Sequence, residues 1–357
     1  MTHKPGEHSY REITTQTEAW RGALEAVGAR RDRLVELVRE EMGRRVLFIG
    51  CGSTHYLAQF AAAYFQAITG IVCRGLPSSE LLLQTDTVVT PTERPLVIAL
   101  SRSGETSETV QAVEKVRRRG ADALAISCYR RTALASVSTM TVTIPEGQEE
   151  SFAQTRSFAA MLVAVQALAA AVAGDDALLT TLAQLPRVGA QVIERAGLAA
   201  QVMAADEKIK RISYLGSGPL YGLANEATVK MKEMSLSVAE GYHFMEFRHG
   251  PMALVDQEHL IVGLLSDRMH AYETAVLHDL AARGAHVFLL GEDIAELAGQ
   301  FAGSFDLRCG LCEEARAVLF MPFLQYMAYY RALARGLDPD RPRHVVMAIR
   351  LDGTEMI

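Results

Sequence analysis

Glu226, Lys230 and Glu233 stand at i, i+4 and i+7 in "NEATVKMKEMS", and His249 follows in "FRHGP". On a helix the three charges share one stripe. At about 100° per residue, the apolar stripe of Leu223, Ala227, Met231 and Met234 lies roughly 90° away, so the charges border the core. Two readings are open: a solvated ion-pair stripe, or a carboxylate, a lysine and an imidazole gathered to move protons. A histidine ahead of Gly-Pro is by itself a loop residue; it joins the second reading where its loop lies near the ligand end of the fold.

A second cluster is "LSRSGETSET", where Ser101, Arg102, Ser103 and Thr106 follow the apolar run "PLVIA". One hydroxyl, of Ser103 or Thr106, with Glu105 and Glu108 in the first turn, suffices to cap the helix predicted over "ETSETVQAVEKVRRRG". Capping leaves the other hydroxyls unexplained. At the carboxyl end of a central strand, where open α/β sheets bind ligands, several hydroxyls and exposed N–H groups suit the oxygens of a phosphate. The run "FIGCGSTHYLAQ" adds a glycine turn that brings backbone N–H groups, Ser53 and Thr54 to another helix N-terminus, where anions are stabilised. It is not a full dinucleotide fingerprint, because His55 stands where a third glycine is required, and no Gly-Lys-Ser/Thr completes a nucleotide P-loop.

The elements that must hold these groups follow from periodicity. Short apolar or β-branched runs, "RVLFIG", "PLVIALS", "DALAISC", "MTVTIP", "RISYLG", "HLIVGLLS", "HVFLLG" and "FDLRCG", alternate with longer helical patterns, the mark of parallel α/β structure. The pattern occurs twice. "FIGCGSTHYLAQ" aligns with "YLGSGPLYGLAN", matching Gly50 with Gly216 and Gly52 with Gly218, and "RRRGADALAI" aligns with "LAARGAHVFLL". The chain therefore reads as an N-terminal segment (1–44), helical from Tyr10 to Met42, two copies of one α/β unit (45–185 and 190–335) and a C-terminal tail (336–357).

Composition narrows the partners. With 49% hydrophobic and 22% charged residues and a formal net charge of −6, the chain favours neither nucleic acid nor an anionic membrane. The N-terminus lacks the basic and apolar regions of a secretory signal, which makes the cytoplasm the expected compartment. The run from Phe158 to Gly174 carries Gln166 at its middle, is short for a membrane span and reads as a buried helix. The five cysteines are an odd, scattered set, and Cys309 and Cys312 lack a second ligand pair, so neither a disulfide framework nor a metal is expected.

In combination, "REITTQTEAW", "CGST", "SRSGETSET", "FAQTRSF", "EATVKMKE", "AEGYHFMEFRHGP" and "DPDRPRHVV" resemble the sugar isomerase (SIS) domain family. The likeness is to its tandem form, seen in the isomerase half of glucosamine-6-phosphate synthase and in the AgaS-like amino-sugar-phosphate isomerases and deaminases. The resemblance implies two flavodoxin-like sheets, each between helices. It implies that Ser53, Thr54, Ser101, Ser103 and Thr106 hold a sugar phosphate, with Arg102 lining the same loop, and that Ala153 and Gln154 touch the sugar. Glu233 would move a proton between C1 and C2, with Glu226 and Lys230 as its helix neighbours, and His249 would open the sugar ring from across a homodimer interface. No cofactor and no metal are implied.

Two departures steer the expectation away from the synthase. Met347 stands where that pattern has a tail lysine, and the chain begins almost directly with the helix before the first copy, without a glutamine-hydrolysing domain. The expected reaction is isomerisation and deamination of an amino-sugar 6-phosphate. The alternatives are plain aldose–ketose isomerisation of a hexose bearing a terminal anionic group, and a regulator that binds a phosphosugar without turning it over.

Overall fold

Two parallel sheets organise the chain, and the computed structural model describes residues 4–40, 44–204 and 206–351. The first unit comprises Glu18–Leu182 with His344–Ile357, the second Met1–Thr17 with Ala183–Arg343. In the first, β1 (Val46–Gly50), β2 (Cys73–Pro77), β3 (Leu96–Leu100), β4 (Ala123–Ser127) and β5 (Met140–Thr143) are ordered β2-β1-β3-β4-β5. In the second, β6 (Arg211–Gly216), β7 (Val238–Tyr242), β8 (His259–Leu264), β9 (His286–Gly291) and β10 (Gly303–Asp306) are ordered β10-β9-β8-β6-β7. All the pairings are parallel. Each unit sets its opening strand between its second and third, the flavodoxin-like order, so the order reverses beside β1 and beside β6. The repeat read from aligned glycines is a repeat of topology.

The strands β1, β3, β4 and β8 are buried at every residue, and burial on both faces makes parallel strands read as continuous apolar runs. The apolar pattern omits two strands, β2 and β7. Both are edge strands, "CRGLP" and "VAEGY", with a single buried residue each, so hydropathy does not separate them from loop.

The N-terminal segment forms three helices, Glu7–Thr14, Gln16–Gly28 and Arg31–Arg39, and Met42 lies outside the described residues. Its first helix is tied into the second unit by Asp340, whose Oδ1 accepts from Ser9 N at 2.7 Å and Ser9 Oγ at 2.6 Å. The apolar run of the first unit forms the helix Arg156–Ala173, buried at every residue from Ser157 to Val172. It is long and apolar enough to cross a membrane by length and composition, yet 89% of that window is buried inside the protein. Each of its Leu, Val and Phe side chains contributes about 1.5–3 kcal/mol through that burial.

Candidate functional site

Each unit opens with the same strand, turn and helix. A Cβ on Gly50 would fall 2.4 Å from the backbone of Thr54, and one on Gly216 would fall 2.5 Å from that of Leu220, so the helix approaches its strand too closely for a side chain. Gly52 and Gly218 take φ values of 56° and 52°, the left-handed region that glycine enters without strain. In the first unit this turn and the loop after β3 leave adjacent parallel strands where the strand order reverses. Ligands of open α/β sheets bind at such a point.

Ser53 begins the helix Ser53–Thr69, while Ser101, Ser103 and Thr106 lie between β3 and the helix Ser107–Arg118, so all four belong to that end of the sheet. Thr106 holds the N-cap position without a side-chain capping bond. Ser101 Oγ accepts from Gly104 N at 3.1 Å and Ser103 Oγ from Glu105 N at 3.2 Å. These bonds shape the loop and leave both hydroxyl protons free to donate. Thr54 is different: its hydroxyl accepts from Cys51 N and donates to Cys51 O, both at 2.9 Å, and so closes the turn.

Arg102 is buried, with Nη1 at 3.3 Å from Glu149 Oε2. The same carboxylate accepts from Thr155 N at 2.6 Å, Thr155 Oγ1 at 3.0 Å and Ser157 N at 3.1 Å, which fixes the segment that carries Ala153 and Gln154. Ala153 is buried and its carbonyl accepts from Ser151 Oγ at 3.0 Å. Arg102 also donates to the carbonyls of Ser151 and Met347, each at 3.3 Å. Beside them Ser107 N donates to Ile349 O at 3.2 Å, and Leu351 N to Ser107 Oγ at 3.0 Å. The tail thus runs against the serine loop, and Met347 meets it through its carbonyl. Glu149 escapes a reading by motif because it lies 47 residues from Arg102.

In the second unit the helix Leu220–Ser235 carries Glu226 and Lys230, both fully buried, and Glu233, with 24% of its side chain exposed. Lys230 Nζ is 2.5 Å from Glu233 Oε2 and 3.6 Å from Glu226 Oε1. This is not a solvated stripe: two of its three members lie in the core, and only Glu233 reaches the surface. His249 follows a 3-10 turn, Glu246–Arg248, that is anchored by buried Phe247 and by the pairing of Arg248 with Asp279. The His249 ring is exposed, and among the described residues no hydrogen bond joins it to Glu226, Lys230 or Glu233.

Two further residues of this unit carry no spacing signal. His243 stacks on Tyr221 with ring centroids 3.8 Å apart, and its ring bonds to the Gly216 backbone, with burial lowering its pKa. Glu273 is buried beside the loop after β8; its carboxylate accepts from Ser266 N at 2.7 Å and Ser266 Oγ at 3.1 Å and bonds to the Ser217 side chain. The loops after β6 and β8, counterparts of the first unit's hydroxyl loops, are therefore bridged by the chain's own carboxylate. Cys309 lies beyond β10, where burial pushes its thiol up to about 12.

The SIS domain model matches residues 42–171 and 207–295. Glutamine–fructose-6-phosphate aminotransferase (isomerizing) of Treponema pallidum is 29% identical over 336 residues, covering 86% of this chain and 52% of that protein. The chain spans about half the length of the curated relatives it matches. The glucosamine-6-phosphate deaminase structure from Thermotoga maritima is 25% identical, with a TM-score of 0.79 over 97% of this chain and 100% of that one. The tagatose-6-phosphate ketose/aldose isomerase structure from Escherichia coli is 24% identical, with a TM-score of 0.85 over 96% and 99%, a likeness of fold. One matched stretch falls in each unit, and the chain belongs to the SIS domain family.

Proposed function

We propose that the chain isomerises a sugar phosphate and, when the substrate is a 2-amino sugar, releases its nitrogen as ammonia. The observation that carries this reading is Glu233: a partly exposed carboxylate held by a fully buried lysine, itself backed by buried Glu226. Protons α to a carbonyl are weakly acidic, so their removal needs a placed base and stabilisation of the oxygen charge that develops. Glu233 takes the C2 proton of the open-chain sugar and a proton is delivered at C1, while Lys230 orients the carboxylate. Ser53, Ser101, Ser103 and Thr106 take the phosphate, and binding energy gathered there orients the reacting carbons. Thr54 shapes the turn, Arg102 holds the loop, and Ala153 and Gln154 border the sugar.

An amino sugar passes through an enolamine whose protonation at C1 gives a ketimine; water hydrolyses it to ketose and ammonia. A plain aldose gives the ketose by the same proton transfers. His249 opens the ring, its imidazole serving as acid and base at the ring oxygen and O1. Its exposure supports delivery to a second copy of the chain, so the active form is at least a homodimer. The reaction needs no metal. The named activities of the relatives, a deaminase and a ketose/aldose isomerase, agree with both outcomes.

The test is a panel of hexose 6-phosphates and 2-amino-2-deoxyhexose 6-phosphates, each beside its unphosphorylated sugar, with ammonia and ketose both assayed. Ammonia from an amino-sugar phosphate establishes the deaminase, and ketose alone establishes the isomerase. Thermal stabilisation without turnover makes the protein a phosphosugar-binding regulator.

A further inference from the structure

The second unit buries a guanidinium that, among the described residues, touches no carboxylate, although the Asp206 carboxylate acts on it from nearby. Arg331, on the helix Met321–Ala334, is 6% exposed. Its guanidinium donates to the carbonyls of Ala204 at 3.3 Å, Asp206 at 3.2 Å and Ile209 at 2.6 Å, and through Nε to Ser237 Oγ at 3.0 Å. Arg335, one turn further on, donates Nη1 to the same Ser237 oxygen at 3.2 Å. These bonds use four of the five N–H groups of Arg331, leave one on Nη2 for a further acceptor, and do not neutralise the charge. Two other deeply buried arginines have a carboxylate in contact, Arg102 with Glu149 and Arg316 with Asp267. Among the described residues neither Arg331 nor Arg335 has one. Buried charges are normally paired, and burial together with the adjacent Arg335 lowers the pKa of Arg331.

The two arginines border an open groove of about 570 Å³, within the range of small-molecule sites. Lys210 adds a third cation to its lining, Leu236 and Val238 an apolar wall, and Asp206 and Glu207 two acids. Asp206 Oδ1 is engaged by Lys208 N at 2.9 Å. Arg211 pairs with Val238 in register at the start of β6 and β7, so the groove lies at the end of the sheet away from the Gly216 turn.

We propose that this groove is a second anion site, in which Arg331 and Arg335, both held by the buried Ser237 hydroxyl behind the groove, receive the phosphate group of a small phosphorylated metabolite whose body rests on Leu236 and Val238. Guanidinium forks match phosphate oxygens in both charge and geometry. Because it lies at the far end of its own sheet, it serves an effector and not the reacting sugar.

The probe is inorganic phosphate, titrated against the melting temperature of the full chain. Since the serine loop also takes phosphate in the proposed function, the titration is repeated in a Ser103→Ala/Thr106→Val background. Phosphate should still stabilise that variant, and adding Arg335→Ala should raise the half-saturating concentration about tenfold, the scale of one lost charged contact. Ser237→Ala should weaken the response as well, and Arg335→Ala alone should leave sugar turnover within about twofold of wild type. The site does not exist if phosphate fails to stabilise the Ser103→Ala/Thr106→Val protein, or if Arg335→Ala and Ser237→Ala titrate like their parent. Failure of the serine-loop reading looks different: Ser103→Ala/Thr106→Val would then titrate like wild type while Arg335→Ala abolished the response.

Discussion

Arg102 and Glu149 form an ion pair in the interior of the first unit, Nη1 to Oε2 at 3.3 Å, with 3% and 0% of their side chains exposed. The pair joins the serine loop to the segment 149–157, and the same guanidinium holds the tail at Met347. Two loops and the tail are thereby set by one charged contact. Glu149→Gln leaves the guanidinium buried without a counter-charge, which should cost about 3–5 kcal/mol. The double substitution Arg102→Met/Glu149→Leu removes both charges but leaves the N–H groups of Thr155 and Ser157 without their acceptor, so it should recover only part of that loss. Urea unfolding reads both changes as shifts in midpoint at constant slope; a Glu149→Gln midpoint equal to wild type would show that the pair does not bind these segments together.

If His249 is supplied by a second copy, two inactive variants should rescue each other. Glu233→Gln and His249→Asn, each inactive alone, should regain roughly a quarter of wild-type turnover when refolded as a mixture, since half of the dimers are mixed and each mixed dimer has one intact site. No recovery, with mixed dimers demonstrated by differential tagging, would place Glu233 and His249 in the same subunit's chemistry.

Acid should weaken the fold through a histidine outside the proposed chemistry. His259, at the head of β8, is buried with Nε2 at 2.9 Å from Ser213 Oγ, and burial first, Arg211 second, hold its pKa below the ordinary value. The unfolded chain then binds the proton more readily than the folded one. The stability this group contributes is whole above the unfolded value of about 6.5 and is lost as pH falls from there through the folded value. His55 and His243, lowered chiefly by burial, act in the same direction. Chemical unfolding between about pH 8 and 5 should show this decline. His259→Gln should flatten it, and an unchanged slope would assign the decline to other groups.

If Glu233 moves the proton as proposed, the reaction requires no Lewis acid. Dialysis against a chelator should therefore leave turnover unchanged, and loss of activity restored by one divalent metal would replace this mechanism with a metal-assisted one.

The legible parts of the protein were those whose cause is local. Buried parallel strands announce themselves as apolar runs, and the paired glycines mark two turns that tolerate no side chain. Edge strands β2 and β7, with one buried residue each, have no such signature. The hydroxyl loop was visible because its residues are adjacent in sequence. Glu149 and Glu273 were not, since their importance lies in what they bond to across the fold: Glu149 reaches Arg102 from 47 residues away, and Glu273 fills the second unit's counterpart of the hydroxyl loops. The stripe of Glu226, Lys230 and Glu233 was readable in spacing, yet its depth depended on packing that periodicity could only approximate.

The most direct measurement is turnover of glucosamine 6-phosphate by the wild type and by Glu233→Gln, with ammonia and fructose 6-phosphate assayed together and unphosphorylated glucosamine as the control. The account predicts both products from the wild type, little turnover of the unphosphorylated sugar, and a fall of at least about a hundredfold in Glu233→Gln with its melting temperature preserved. A Glu233→Gln enzyme as active as the wild type, or a wild type that is stabilised by the sugar phosphate and converts none of it or its relatives, would contradict it.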